Sequence, residues 1–258
     1  MKYLENMFSL KGKISVVTGG ARGNGKAISE ALAKAGSKVI IVDILKEELS
    51  QTVEDFKSDS LDVVGYVCDL SHEEEFNKFI FYLTDFERID ILVNNAGVTY
   101  GAPLLDYPLD LWKKTLDINL KTPFRLSQEI GKLMVKNEIR GSIINVTSLN
   151  SELAFPDNPA YVASKGALKQ LSKSFALGLG EHNIRVNSIG LGYFKTNMTK
   201  KSWDNLERRK LIREKTILNR WGEPSDLQGL IIFLASESSS YFTGQDFYID
   251  GGWLAKGL

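Results

Sequence analysis

The chain has 258 residues, 43% of them apolar, enough for one sizeable buried core and close to the length at which a single core stops growing. Thirty-two basic residues balance thirty-two acidic ones, which argues against a nucleic-acid groove or a polybasic membrane surface. Its one cysteine, Cys68, excludes an intrachain disulfide and a multi-thiolate metal site; no metal is expected, and a reducing, cytoplasmic location is.

In chain order, the amino end MKYLENMFSLKGK carries Glu5, Asn6 and Ser9 where a secretory signal needs an unbroken apolar core. Residues 14–18, ISVVT, are a short branched apolar run that ends in glycines and predicts a buried strand. Small and apolar residues then recur at helical spacing over 27–35, stop at Gly36 and give way to a second strand over 39–42. Such a βαβ unit predicts a parallel sheet covered by helices on both faces. The alternation continues with helix 44–58, strand 63–67, helix 73–86 and strand 89–93. A long helix follows over 109–135 with a break near Pro123, then strand 141–147, helix 160–179, strand 184–189, helix 227–235 and a last strand over 247–249. The apolar run around 230–235 is too short to cross a bilayer.

Seven strands in this rhythm describe one α/β domain over 1–258, a doubly wound, mostly parallel sheet of the Rossmann type. Its ligand is expected beyond the carboxyl ends of the strands, at the topological switch point. Residues 196–222 interrupt the rhythm. Their charges, including Lys200-Lys201 and Arg208-Arg209-Lys210, surround Trp203, Leu206, Leu211 and Ile212, which suits a solvent-facing insertion and a substrate lid equally.

The run TGGARGNG, residues 18–25, lies between the first strand and the following helix. Glycines there permit a tight turn and let backbone amides approach a pyrophosphate, whose charge a helix amino terminus favours. Asp43 ends the second strand, where a carboxylate accepts hydrogen bonds from an adenosine ribose and repels a 2′-phosphate. It favours NAD; Arg22, a possible partner for that phosphate, keeps NADP open. Asp69, followed by Leu70, is placed to contact adenine, to cap the next helix, or both. Asn94-Asn95-Ala96-Gly97 ends the fourth strand, with amides to tie neighbouring backbone and a glycine to admit a flat ring.

Tyr161 and Lys165 stand four apart on one helix face. An ammonium beside the phenol is expected to favour phenolate and lower the tyrosine pKa, as a proton shuttle near neutral pH requires. Ser148, just past the fifth strand, can reach a substrate oxygen beside that phenol. Asn119 is an amide inside a long helix, a poor place without a specific role.

With these motifs in this order and spacing, the chain resembles a classical short-chain dehydrogenase/reductase over essentially its whole length. The resemblance implies a tetrad of Asn119, Ser148, Tyr161 and Lys165 and the interconversion of an alcohol and a ketone. Hydride then passes between cofactor and carbonyl carbon while Tyr161 exchanges a proton with the oxygen. Ser148 would position that oxygen, Lys165 would hold the nicotinamide ribose, and Asn119 would keep a water in a relay to solvent. Cofactor contacts carry over to Gly19, Arg22, Gly23, Asn24, Gly25, Asp43, Asp69, Leu70, Asn95, Ala96, Gly97, Gly192, Phe194 and Thr196, besides Tyr161 and Lys165. Two residues depart from the family pattern. Asn24 replaces an apolar residue, and Leu191-Gly192 replaces Pro-Gly, removing a ring that constrains the nicotinamide-side loop.

Three segments, GYFKTNM (192–198), NRWGEP (219–224) and DGGW (250–253), are similar to gluconate 5-dehydrogenases and 2-deoxy-gluconate 3-dehydrogenases. A sugar acid, sugar or polyol is therefore the leading substrate class. Thr99, Ser148, Asn150, Phe155, Tyr161 and Tyr193 are the pocket candidates, with Lys195 or a lysine of 196–222 as partner for a carboxylate. A 3-oxoacyl-carrier-protein reductase or broad carbonyl reductase is the alternative, the former requiring a basic patch at the pocket mouth. A nucleotide-binding protein without catalysis is the third reading, and a broken tetrad would be its hallmark. The family commonly forms tetramers. Leu116, Leu120, Phe124, Leu168, Leu171 and Phe175 offer apolar stripes to a homotetramer or homodimer, or equally to the core of a monomer. Trp253, beyond the last strand, is expected at a subunit interface.

Overall fold

Consecutive apolar residues can bury both faces of a strand because side chains alternate along it. The computed structural model, which describes residues 2–256, has seven strands: β1 (Ile14–Thr18), β2 (Lys38–Asp43), β3 (Val63–Val67), β4 (Ile91–Asn94), β5 (Ser142–Ser148), β6 (Arg185–Leu191) and β7 (Asp246–Ile249), of which the edge strands β3 and β7 are buried only in part. All pair in parallel, in the order β3-β2-β1-β4-β5-β6-β7. Val17, Ile41 and Ile144 belong to one core and their neighbours Val16, Ile40 and Ile143 to the other.

The helices are α1 (Lys2–Phe8), α2 (Gly23–Lys34), α3 (Lys46–Ser58), α4 (Glu73–Leu83), α5 (Leu109–Leu116), α6 (Thr122–Lys136), α7 (Pro159–Leu179), α8 (Lys200–Asp204), α9 (Leu206–Lys215), α10 (Gln228–Ala235) and α11 (Trp253–Lys256). Ile28 and Leu32 of α2, with Ile231 and Leu234 of α10, cover the first face. Phe76 and Phe79 of α4, with Leu126, Ile130 and Met134 of α6, cover the second. The chain runs outward from β1 to β3 and then returns to place β4 on the other side of β1. The ends of β1 and β4 are therefore the switch point at which a doubly wound sheet opens a crevice.

The amino end forms α1, whose Met7 carbonyl accepts a hydrogen bond from Ser238. Three local expectations change. The long helix over 109–135 is interrupted upstream of Pro123, by a wide π-type turn over Asp117–Lys121, while Pro123 sits in the first turn of α6, where its missing N–H costs nothing. Ser148 is the last residue of β5 rather than the residue beyond it. Leu191, unlike a proline, has an N–H, and it continues β6 paired with Ser148 and Ile249. The sheet holds this stretch in place of a ring.

Candidate active site

At the switch point, Asn95 ties the two strand ends together. Its Nδ2 donates to the Thr18 and Gly19 carbonyls at 2.9 and 3.0 Å, and the Asn95 and Ala96 amides donate to Thr18 Oγ1 at 3.1 and 3.0 Å. The tightness of this corner dictates Gly25: a Cβ there would lie 2.0 Å from Gly19 O and 2.6 Å from Asn95 Nδ2. From this corner α2 starts at Gly23, and no side chain caps it. Its first amides are open to an anion, in the manner of dinucleotide sites. Thr196 lies alongside, its Cγ2 3.4 Å from where a Gly23 Cβ would stand. The Oδ1 of Asn24 is buried there without a partner among the described residues. An uncapped helix start and a glycine cradle together fit a dinucleotide pyrophosphate.

Asp43 is buried at the end of β2, where Oδ2 accepts from the Ala21 amide at 3.0 Å and Oδ1 from the Leu45 amide at 3.1 Å. Arg22 is exposed and paired with Glu48 at 3.6 Å, so its charge is already engaged. Asp69 serves as a turn cap, accepting from the Ser71 amide and hydroxyl at 2.9 and 2.6 Å. Leu70 follows it and accepts from Thr122 Oγ1. Phe194 is buried, and Lys195 and Gly222 are joined backbone to backbone at 3.0 Å, which closes the base of the 196–222 segment.

The proposed tetrad gathers at the ends of β4 and β5. Ser148 Oγ donates to Asn150 Oδ1 at 3.1 Å and accepts from the Asn150 amide at 3.2 Å, so Asn150 orients the serine. Lys165 is 4% exposed; its Nζ donates to Val146 O at 2.7 Å and lies 5.7 Å from the Tyr161 ring centroid. Asn119, fully buried in the wide turn, holds both backbone polar groups of Val98: its Oδ1 accepts from Val98 N at 2.8 Å and its Nδ2 donates to Val98 O at 2.9 Å and Ser164 Oγ at 3.2 Å. Gly97 fits between them, since a Cβ there would stand 3.4 Å from Asn119 Oδ1 and 3.7 Å from Lys165 Nζ.

The electrostatics depart from the sequence expectation. Burial raises the Tyr161 pKa above its ordinary value; the Ser148 hydroxyl opposes this and the neighbouring Tyr193 adds to it. Burial also pulls the Lys165 ammonium down to about 8. Desolvation penalises phenolate and ammonium alike, and here it outweighs the lowering of the tyrosine that the four-residue spacing predicts.

Around the tetrad, Asn158 Nδ2 donates to Thr99 Oγ1 at 2.5 Å, joining a candidate to a residue the sequence reading missed. Its signal was available: an asparagine directly before Pro159, three positions ahead of Tyr161. Phe155 and Tyr193 meet edge to face at 6.2 Å. Trp253 stacks on Tyr193 at 5.5 Å. Lys195 is paired with Glu223 at 3.2 Å and sits over the Trp203 ring. Among the described residues no cluster of His, Cys, Asp and Glu gathers to hold a metal, and no helix is long and apolar enough to cross a membrane.

A family model described as Enoyl-(Acyl carrier protein) reductase matches residues 19–254. The chain belongs to the short-chain dehydrogenase/reductase family. As a member, it is an oxidoreductase acting on CH–OH groups with a nicotinamide cofactor. It is 40% identical to a 2-dehydro-3-deoxy-D-gluconate 5-dehydrogenase of Pseudoalteromonas atlantica, over 96% of this chain and 98% of that one. To the 5-keto-D-gluconate 5-reductase of Escherichia coli it is 34% identical, over 97% and 99%. Its fold matches a gluconate 5-dehydrogenase from Burkholderia cenocepacia, solved with NADP and tartrate, at a TM-score of 0.93 and 31% identity, covering 98% of this chain and 99% of that one. This family member thus brings the glycine run of 18–25 and the Tyr161–Lys165 helix face to the carboxyl ends of the strands of a single sheet.

Proposed function

We propose that this chain interconverts the secondary alcohol and ketone of a sugar acid, with Tyr161 as the group that exchanges the proton. The observation that carries the reading is the convergence of Ser148, Tyr161 and Lys165 beside an uncapped helix start at the switch point. The names of its relatives support the substrate class. The nicotinamide cofactor, when bound, supplies or accepts hydride at the carbonyl carbon. The residues that would hold it are Gly19, Arg22, Gly23, Asn24, Gly25, Asp43, Asp69, Leu70, Asn95, Ala96, Gly97, Gly192, Phe194 and Thr196, with Tyr161 and with Lys165 at the nicotinamide ribose.

Tyr161 donates its phenolic proton to the carbonyl oxygen in reduction and takes it back in oxidation. The raised phenol pKa suits donation, because a neutral phenol is the form that holds the proton. Ser148, oriented by Asn150, directs its hydroxyl at the same oxygen. Lys165 is cationic below about pH 8 and favours the phenolate left behind. The Asn119 side chain is committed to Val98 and Ser164, so we assign any water between Lys165 and solvent to the main chain of the wide turn. Thr99, Asn150, Phe155 and Tyr193 line the substrate side, under a lid formed by 196–222.

NAD is the favoured cofactor. An Asp43 carboxylate at the end of β2 would repel a 2′-phosphate there, which supports this reading, and Arg22 makes a surface pair with Glu48. A second copy of the chain is the expected partner, in a homotetramer or homodimer. Leu116, Leu120, Phe124 and Leu171 line an open apolar groove between α5, α6 and α7, although Leu168 belongs to the monomer's own core. A cytoplasmic enzyme remains the expectation.

One observation favours a second reading, a 3-oxoacyl-carrier-protein reductase. The 200–215 segment carries Lys200, Lys201, Arg208, Arg209, Lys210, Arg213 and Lys215 against Asp204, Glu207 and Glu214, a basic surface for an acidic carrier. The test is cofactor-coupled turnover across ketogluconates, polyols, ketopentoses and a short 3-oxoacyl thioester with NAD and NADP forms. Turnover of a keto sugar acid is the expected result; activity confined to the thioester would overturn the sugar-acid reading in favour of the second.

A further inference from the structure

The carboxyl ends of β5, β6 and β7 each launch a segment that carries one aromatic ring: Phe155, Tyr193 and Trp253. The three rings meet. Trp253 lies nearly parallel to Tyr193, with an interplanar angle of 24° and centroids 5.5 Å apart, and Phe155 approaches Trp253 and Tyr193 edge-on at 6.2 Å. Leu191 pairs with Ser148 across β6 and β5, so Tyr193, two residues further on, stands beside the Ser148 end of the site. All three rings are only half-buried, so the wall they form is not sealed inside the protein.

Trp253 is held in place with care for a residue so near the end of the chain. Asp250 caps the turn that carries it, its carboxylate accepting from the Gly252 and Leu254 amides at 2.8 Å each. The tail is also clasped to the far end of the 196–222 segment. The Ile217 and Leu218 amides donate to Gly251 O at 2.8 and 3.1 Å, and Lys256 Nζ donates to the last carbonyls of α9, Glu214 O and, at 3.4 Å, Thr216 O. A lysine on those carbonyls complements the negative end of the helix. Trp203 and Trp221 extend the ring contacts from Tyr193 into the lid, at 5.5 and then 5.2 Å.

We propose that Trp253 is a specificity-determining residue of the substrate pocket, where with Phe155 and Tyr193 it forms an aromatic wall for the C–H face of a six-carbon sugar acid. This rests on the sugar-acid reading above. The carbonyl end of the substrate sits at Tyr161 and Ser148, and the rings receive the carbon chain beyond it. Aromatic rings suit that task because they present apolar area with few rotatable bonds, and a sugar chain is polar at its hydroxyls yet apolar along its C–H faces. A short ketone reaches the reacting groups without reaching the wall. The clasp couples the wall to the lid, so Trp253 takes its place as the lid does.

The experiment compares wild type with Trp253→Ala and Trp253→Phe on 5-ketogluconate and on dihydroxyacetone, with cofactor affinity and thermal midpoint measured for each protein. The expected result is that Trp253→Ala lowers kcat/KM about tenfold on the six-carbon acid, chiefly through KM, while turnover of the short ketone and cofactor affinity hold within about twofold. Trp253→Phe, which keeps a ring, is expected to restore most of the loss. Equal losses on both substrates, or a Phe variant as impaired as the Ala variant, overturn the proposal. A wild type that ignores sugar acids but reduces other ketones overturns the functional reading alone, and the ratio of long to short ketones among those it accepts then decides the role of Trp253. A wild type that binds cofactor and reduces no ketone overturns both.

Discussion

Replacing Lys165 with methionine is expected to make the protein more stable and catalytically silent at once. Burial holds the Lys165 ammonium at about 8 against an ordinary 10.5. At roughly 1.4 kcal/mol for each tenfold change in protonation, keeping that charge in the folded protein at pH 7 costs about 3 kcal/mol. Methionine keeps the unbranched chain and removes the charge, at the loss of the ammonium's hydrogen bond to Val146 O, worth about 2 kcal/mol. A net gain of about 1 kcal/mol follows at pH 7. The sign with pH is fixed by linkage. Between about pH 8 and 10.5 the unfolded chain holds more protons on this lysine than the folded one, so wild-type stability rises with pH across that window. The advantage of Lys165→Met is therefore whole below the lower limit, shrinks through the window and reverses above it. Urea unfolding of both proteins at pH 7 and at pH 10.5 measures this. A variant less stable than wild type at pH 7, or an offset that is the same at both pH values, would refute the reasoning. Activity that costs stability in this way is what a buried functional charge entails.

Three further outcomes are expected. Gly25→Ala drives a methyl group to 2.0 Å from Gly19 O, inside the corner that Asn95 closes. It should weaken cofactor binding by roughly a hundredfold, as overpacking of a few kcal/mol would, read by titrating nicotinamide fluorescence; binding within twofold of wild type would contradict it. Asn145→Ala deprives Asn94 Nδ2 and Ser172 Oγ of buried partners at 2.8 and 2.9 Å. A loss of about 2 to 3 kcal/mol is expected by denaturant unfolding, and a neutral result would show that water replaces the amide. Asp43→Ser removes the carboxylate at the end of β2 and should move the NADP-to-NAD ratio of kcat/KM upward by at least about tenfold; an unchanged ratio would sink the argument for NAD.

Strand positions were legible because apolar residues on consecutive positions have no other explanation than burial on two faces. The glycine cluster of 18–25 was legible for a related reason: its place between a strand and a helix is itself the signal. Tyr161 and Lys165 were predicted on one helix face, and they are there. Their ionisation was not readable, since spacing gives proximity but not the depth at which each group sits, and depth sets the sign for Tyr161. Pro123 pointed to a break in the long helix, yet the wide turn is upstream, where the Asn119 side chain takes both backbone polar groups of Val98. Leu191 was read as the loss of a constraint because the pairing that replaces the proline ring comes from β5 and β7, remote in sequence. Contacts of this kind also hid the place of Trp253, which meets rings contributed by other strand ends, and no local pattern encodes that meeting.

The central claim is that Tyr161 exchanges the proton in a hydride-transfer reaction. Its most direct test is Tyr161→Phe, measured as cofactor-coupled turnover of 5-ketogluconate alongside cofactor affinity. The account predicts a fall in kcat of about a thousandfold or more with cofactor affinity unchanged. A variant that retains more than about a tenth of wild-type kcat would contradict it and move the proton transfer to another group.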